Sequence, residues 1–350
     1  MGFVRKYKRM IPAVPTAAAA GASFATSTYV AATGDATPYI TVYPWSAGFG
    51  TKVTNPATLP GTNGRSTKFD DAKTLISVAS SGTPFIQVYP FTTGFGTKYT
   101  NPATLPAAGW DTTWTSTANA IAVANGTTSP RVVAYPFSAG FGTKYADPAT
   151  LPVGDTRGVA YSANDAYLAT AHATSPYITV YPWSAGFGTK IADPASLPAA
   201  GGNRVAFNPS TSAVGIMLDT TPYVNIYAWT TGFGSKYANP ASLPTAFGKS
   251  IRWNKAGDLV AMTTQTTPYV FVYPWSAGFG TKYADPATTP TGEGYDVDFT
   301  GPTTDIVVGH FASPYITAYP WSAGFGTKYA NPATLPSSGA SGYSYGVDFN

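Results

Sequence analysis

Residues 176–198 read PYITVYPWSAGFGTKIADPASLP. The Tyr-Pro-aromatic core of this stretch begins at Tyr43, Tyr89, Tyr135, Tyr181, Tyr273 and Tyr319, and a Tyr-Ala-Trp variant at Tyr227 completes the series. Consecutive members stand 46 residues apart every time, so the chain carries seven copies with no insertion or deletion between anchors. A fixed period of this length marks a repeat architecture, in which one supersecondary unit buries its apolar faces against copies of itself.

Within a period four short strands can be read. In one copy they are Val205–Phe207, Ala213–Met217, Tyr223–Tyr227 and, after a turn at Gly232-Phe233-Gly234, Ser235–Tyr237. Each is a run of β-branched and aromatic residues bounded by Gly, Pro, Asn or Ser-Thr clusters, and no segment sustains apolar spacing at the helical period. The proline before the third strand, Pro38 in the first copy and Pro314 in the last, sits where a missing N–H costs least. Four antiparallel strands per period and seven periods predict an all-β, seven-bladed β-propeller occupying residues 23–350, preceded by an extended arm over residues 1–22.

Charged residues make up only 10% of the chain and cysteine is absent, which rules out a disulfide framework and thiolate metal sites. The formal net charge of +4 resides in the arm, at Arg5, Lys6, Lys8 and Arg9, because the remaining cations balance the acids. A body without net positive charge argues against nucleic-acid binding by the propeller, and no apolar run is long enough to span a bilayer. The arm opens like a secretory signal, but Pro12 and Pro15 break its apolar centre. Its basic residues are expected to anchor the domain on a larger assembly, the alternative being an arm folded back on its own domain.

A propeller must join its first and last blades. By analogy with WD-repeat proteins the innermost strands are Thr67-Lys68-Phe69, Thr113-Trp114-Thr115, Val159-Ala160-Tyr161, Val205-Ala206-Phe207, Ile251-Arg252-Trp253 and Val297-Asp298-Phe299. The seventh, Val347-Asp348-Phe349, lies at the C-terminus, displaced by a four-residue insertion, while the region near residues 21–23 has no such pattern. The C-terminus is therefore expected to close the ring, with Lys68, Trp114, Ala160, Ala206, Arg252, Asp298 and Asp348 as the middle residues. Opposite charges then fall in neighbouring blades twice, Arg252 beside Asp298 and Asp348 beside Lys68.

The stretch at Val159–Ala169 and the Val205-Ala206-Phe207-Asn208-Pro209 segment resemble the hydrophobic-Ala-Phe-Ser-Pro-Asp-Gly turn of WD-repeat and related seven-bladed propellers. The Gly-His and Trp-Asp dipeptides of true WD repeats do not recur with the period, each occurring once, at Gly309-His310 and Trp110-Asp111. The Tyr-Pro-Trp-Ser-Ala-Gly-Phe-Gly-Thr-Lys form is similar to repeat proteins encoded by tailed bacteriophages, a resemblance that implies a virion location.

Catalytic equipment is sparse by inspection. Glu293 is the one glutamate, His172 and His310 occupy equivalent strand ends, and Asp296 and Asp298 share a face without further partners. No phosphate loop, calcium loop or zinc spacing appears, so no catalytic, metal or cofactor site is expected. The third and fourth strands are nearly identical in all copies while the first and second have drifted. That uniformity has two readings. Trp45, Phe91, Phe137, Trp183, Trp229, Trp275 and Trp321 either fill the space between blades, or present seven copies of one glycan- or partner-binding element whose weak sites sum by avidity. The expected function is a non-enzymatic structural or adhesive module of a tailed-phage virion, capsid decoration or tail component, docked through the arm to other virion proteins. The alternative is a lectin-like propeller that recognises host surface glycans.

Overall fold

Each copy of the period folds into one antiparallel sheet, and seven such sheets are present in the computed structural model, which describes residues 28–126, 128–300, 305–337 and 346–349. In the second blade the strands Gly64–Phe69, Leu75–Ser80 and Ile86–Pro90 lie side by side in chain order, and the remaining blades repeat this order except the first, whose inner strand comes from the C-terminal end of the described chain. The first strand of each blade packs against the first strands of its neighbours, so these strands line a central channel. Among the described residues there is no helix, hence none long and apolar enough to cross a membrane.

The expected fourth strand is shorter than the sequence pattern suggests. After Pro90 the chain turns back through Gly94-Phe95-Gly96, and pairing consists of a Phe91–Phe95 bridge plus bonds from Gly96 N to Pro90 O (2.8 Å) and Tyr99 N to Val88 O (3.0 Å). Among the described residues, only the fifth blade has a regular outer strand, Phe233–Lys236. That blade is also the one copy with Ala228 where the others carry proline, and proline has no N–H to give a ladder.

The perimeter is uniform because it is packed. Trp45, Phe91, Phe137, Trp183, Trp229, Trp275 and Trp321 are between 0% and 8% exposed, so their faces are closed to a sugar ring, and the proposed glycan or partner rim is corrected to an inter-blade wedge. Trp183 meets Phe187 of its own turn edge-on at 5.3 Å, Tyr161 of its own inner strand at 5.1 Å and Tyr145 of the preceding blade at 5.2 Å. Such edge-to-face contacts add about 0.5–1.5 kcal/mol per pair beyond area burial.

A second seven-fold device ties blade to blade. The tyrosine that opens each Tyr-Pro-aromatic core is buried, and its hydroxyl donates to a backbone carbonyl in the perimeter loop of the preceding blade. The bonds are Tyr43 to Thr334 (2.7 Å), Tyr89 to Thr58 (2.9 Å), Tyr135 to Thr104 (2.8 Å), Tyr181 to Thr150 (2.6 Å), Tyr227 to Ser196 (2.8 Å), Tyr273 to Ser242 (2.6 Å) and Tyr319 to Thr288 (2.8 Å). Burial pushes all of these hydroxyls upward, so they remain protonated donors. The Tyr43 clasp spans the seam between the two ends of the chain.

Ring closure falls to the C-terminal strand. Val347–Phe349 pairs antiparallel with Thr28–Thr33, placing Phe349 opposite Val30 and Val347 opposite Ala32. Across the channel side, Lys68 Nζ sits 2.5 Å from Asp348 Oδ1, Phe69 N donates to Asp348 Oδ2 (2.8 Å) and Phe349 N donates to Asp298 Oδ2 (2.9 Å). One member of the expected inner ring is corrected. Trp114 pairs with Ile121 as Phe69 pairs with Ile76, so Trp114 ends its strand and Thr113 is the middle residue. The third blade lacks one residue before this strand and regains it before the cis peptide at Pro130, which keeps the tyrosine anchors in phase. The arm cations Arg5, Lys6, Lys8 and Arg9 lie outside the described residues.

Candidate functional site

The end of the channel at which the inner strands begin is shaped by a β-bulge repeated from blade to blade. The ladder between inner and second strands shifts register at Arg65, Arg157, Asn203-Arg204, Lys249 and Tyr295. A bulge inserts an extra residue and re-aims its side chain, and here four of the five aim into one cavity. In four of these blades a glycine precedes the bulged residue: Gly64, Gly202, Gly248 and Gly294. A Cβ on Gly64 would stand 2.3 Å from the carbonyl oxygen of Tyr39 in the preceding blade, so only glycine admits this approach.

The cavity has a volume of about 470 Å3 and is lined by bulge residues Arg157, Asn203, Arg204, Lys249 and Tyr295 together with Asp155. Trp110, Phe247 and Gln265 complete the wall. Arg157 is its hub: it lies 3.6 Å from Asp155 Oδ2 and 3.3 Å from Asp219 Oδ2, and donates to Asn203 Oδ1 (2.9 Å). Asn203 in turn donates to Asp219 (2.7 Å) and to the carbonyl of Gly248 in the next blade (2.7 Å). Arg204 lies 3.6 Å from the buried Asp111, which also accepts from Ser66 Oγ (2.7 Å) and Val159 N (3.1 Å).

Across the cavity, Lys249 Nζ lies 3.8 Å from Glu293 and 4.8 Å from the ring centres of both Phe247 and Tyr295. Glu293 accepts from Gln265 (3.0 Å) and from the Tyr295 hydroxyl (3.2 Å). Burial between the two rings pulls the ammonium of Lys249 below its usual value, against the opposing pull of Glu293. Arg65 stacks on Trp110 at 3.9 Å from the ring centre. The Oδ1 atom of Asp155 is buried with no hydrogen-bond partner among the described residues, which leaves one carboxylate oxygen available to a bound water or ligand.

The other titratable groups singled out in the sequence serve the scaffold. His172 bonds Thr174 O (2.8 Å) and Thr179 Oγ1 (2.9 Å), His310 bonds Thr317 Oγ1 (2.8 Å), and burial lowers both imidazoles to about 4. Asp296 and Asp298 are buried braces: Asp296 accepts from Ser250 Oγ (2.5 Å) and Val347 N (3.3 Å), and Asp298 holds Phe349 N. Among the described residues no group of three or more His, Asp or Glu side chains is placed to hold a metal ion.

Sequence reading missed this site because it has no local motif. Asp155 with Arg157, then Arg204, Lys249 and Glu293, come from four successive blades, at positions where the copies differ. The available signal was the glycine recurring at 64, 202, 248 and 294, followed by a residue that changes from copy to copy.

No protein-family model matches the chain, and no curated protein sequence matches it. Solved structures do. A propeller from Bacteroides uniformis, named as a proposed 6-phosphogluconolactonase, superposes with a TM-score of 0.70 at 11% identity, covering 93% of this chain and 100% of that one. The periplasmic gluconolactonase of Pseudomonas aeruginosa gives a TM-score of 0.65 at 13% identity, covering 92% and 99%. A second proposed 6-phosphogluconolactonase, from Bacteroides fragilis, gives 0.65 at 12% identity over 94% and 99%. At such identity the likeness carries the fold, and none of these three is a phage or WD-repeat protein. The expectation of a non-enzymatic virion module, with a lectin-like propeller as its alternative, is corrected on these grounds: full-length neighbours bear the names of lactone-opening enzymes. Ionisable side chains that lie far apart in the sequence converge at the channel mouth.

Proposed function

We propose that the chain is a hydrolase that opens a sugar lactone at the cavity where the inner strands begin. The observation that carries this reading is the convergence there of an unpartnered carboxylate oxygen, on Asp155, with the cations Arg157, Arg204 and Lys249. The names of the structural neighbours support the same chemistry. A lactone carbonyl is opened by a water that loses a proton as it attacks, an oxyanion that needs positive charge, and a ring oxygen that needs a proton as it leaves. Asp155 takes the proton from water, its other oxygen fixed by Arg157. Arg204, braced by Asp111, faces the developing oxyanion. Lys249, made a readier acid by burial, supplies the proton to the ring oxygen.

Opening of glucono-δ-lactone, followed by base uptake in a pH-stat against the spontaneous rate, tests this. The protein is expected to accelerate opening, and D155N to lower the enzymatic rate by about 10²- to 10⁴-fold, the span of a lost general base. No acceleration by the intact chain, or a D155N rate equal to that of the parent, rejects the proposal.

A further inference from the structure

Among the described residues Lys249 is the one lysine that lines the cavity, and its setting differs from that of the other lysines. On the perimeter each repeat ties its lysine to the Asn or Asp three residues on, as Lys236 to Asn239 (2.9 Å) and Lys328 to Asn331 (2.6 Å). At the ring seam Lys68 is held by Asp348. Lys249 Nζ has no such acceptor among the described residues. Glu293 stands 3.8 Å away, beyond hydrogen-bond reach, and its carboxylate already accepts from Gln265 and from the Tyr295 hydroxyl. The nitrogen is instead boxed between the rings of Phe247 and Tyr295, 4.8 Å from the centre of each.

Burial lowers this amine and the Arg157 guanidinium acts in the same sense, while Glu293 and Asp219 oppose them. The shift by itself singles out nothing, because Lys98 is lowered too. Lys98, however, lies on the perimeter outside the cavity and donates to Tyr99 O (3.0 Å). Placement makes the difference. The ring oxygen that Lys249 protonates is bonded to the carbonyl carbon of the lactone, so an amine seated for the one lies within one bond of the other. Holding amine and carbonyl in one cavity turns a bimolecular encounter into an intramolecular one, the source of large effective concentrations. A desolvated lysine beside another cation is an activated amine nucleophile.

We propose that Lys249 is a self-acylation site, whose neutral amine attacks the carbonyl of a lactone seated in the cavity and ends as an amide. The C–N bond forms, the ring C–O bond breaks, and the proton shed by nitrogen ends on the ring oxygen, which leaves as a hydroxyl. No water, oxidant or further reactant enters. The inference rests on the reading of the cavity as a lactone site and sets a limit on that site's working life. An amide nitrogen no longer supplies a proton to the leaving oxygen, so each acylated molecule stops turning over.

Incubation of the full chain with glucono-δ-lactone, followed by intact-mass measurement and peptide mapping, tests the assignment. The expected product is one adduct heavier by the mass of one lactone, on Lys249, formed about tenfold or more faster than on any perimeter lysine, a small part of the advantage that proximity can give. K249R keeps the positive charge facing Glu293 and has no nucleophilic amine, so it is expected to lose this adduct while labelling of the perimeter stays as in the parent. Sodium gluconate, already ring-opened, is expected to label neither protein. Labelling spread evenly over the lysines, or absent from Lys249, overturns the proposal. Accelerated lactone opening with Lys249 unlabelled overturns it too and leaves the hydrolase reading standing, whereas Lys249 labelled without accelerated opening supports the proposal and rejects that reading.

Discussion

The two histidines illustrate how this chain buries polar groups. His172 gives its Nδ1 proton to Thr174 O and accepts at Nε2 from Thr179, so the buried imidazole is neutral. Sister blades meet the same loop carbonyl with smaller side chains: Thr264 Oγ1 donates to Thr266 O (3.1 Å) and Ser80 Oγ to Gly82 O (3.0 Å). The bond is thus a shared architectural feature and the histidines are two ways of making it. Their depression to about 4 from a free value of 6.5 has a definite sign. The unfolded chain takes up protons first, so this contribution to stability is complete above pH 6.5 and is lost as pH falls through 4, by about 3 kcal/mol per histidine. Asp348 works in the other direction. Burial, with the neighbouring Asp298, raises it to about 7 despite Lys68, so its contribution is largest in acid and is lost as pH rises through 7. The histidine share is isolated by comparing the parent with the double variant H172T/H310T in urea unfolding at pH 7 and pH 4.5. The variant is expected to lose markedly less stability between the two pH values; equal losses would mean the imidazoles are not held neutral.

Strands and turns were legible to the degree that the copies agree. The tyrosine anchors, the proline before the third strand and the Gly-Phe-Gly turn recur without a gap, so blade number and strand order follow from counting. The inner strand of the third blade was misread because its missing residue is restored before Pro130, hiding the slip from any count made between anchors. The outer strand was overread because Tyr-Pro looks like the end of a strand and equally denies that strand a partner. The candidate site stayed hidden for a related reason: a β-bulge is a property of pairing between two strands, and a single sequence shows no pairing. The uniform half has its own test. Each tyrosine clasp is one hydrogen bond from a buried hydroxyl to a neighbouring blade, so Y181F removes the bond to Thr150 O and leaves the ring in place. A loss of about 1 kcal/mol is expected in chemical denaturation, and a similar loss in Y135F, because the clasps are equivalent. A neutral effect at both positions would assign the uniformity of the perimeter to the aromatic wedges alone.

A ring of like blades has one place where it can open, and here a three-residue strand guards it. Val347–Phe349 contributes a short ladder to Thr28–Thr33, but its larger effect is on the groups facing it. Removing it strips Lys68 of Asp348, leaves Phe69 N without its acceptor and takes from Asp296 and Asp298 the N–H groups of Val347 and Phe349. An uncompensated buried charge costs about 3–5 kcal/mol. Exposing or deleting the buried Val347 and Phe349 side chains adds about 1.5–3 kcal/mol each. The total approaches the whole stability of an ordinary domain, about 5–15 kcal/mol. A chain ending at residue 345 is therefore expected to lose cooperative thermal unfolding near room temperature, whereas D348N keeps an acceptor for Phe69 N, loses the ion pair with Lys68 and is expected to fall between that chain and the parent. Differential scanning calorimetry of the three proteins distinguishes this from a ring held by its wedges and clasps, in which case the shortened chain would melt within a few degrees of the parent.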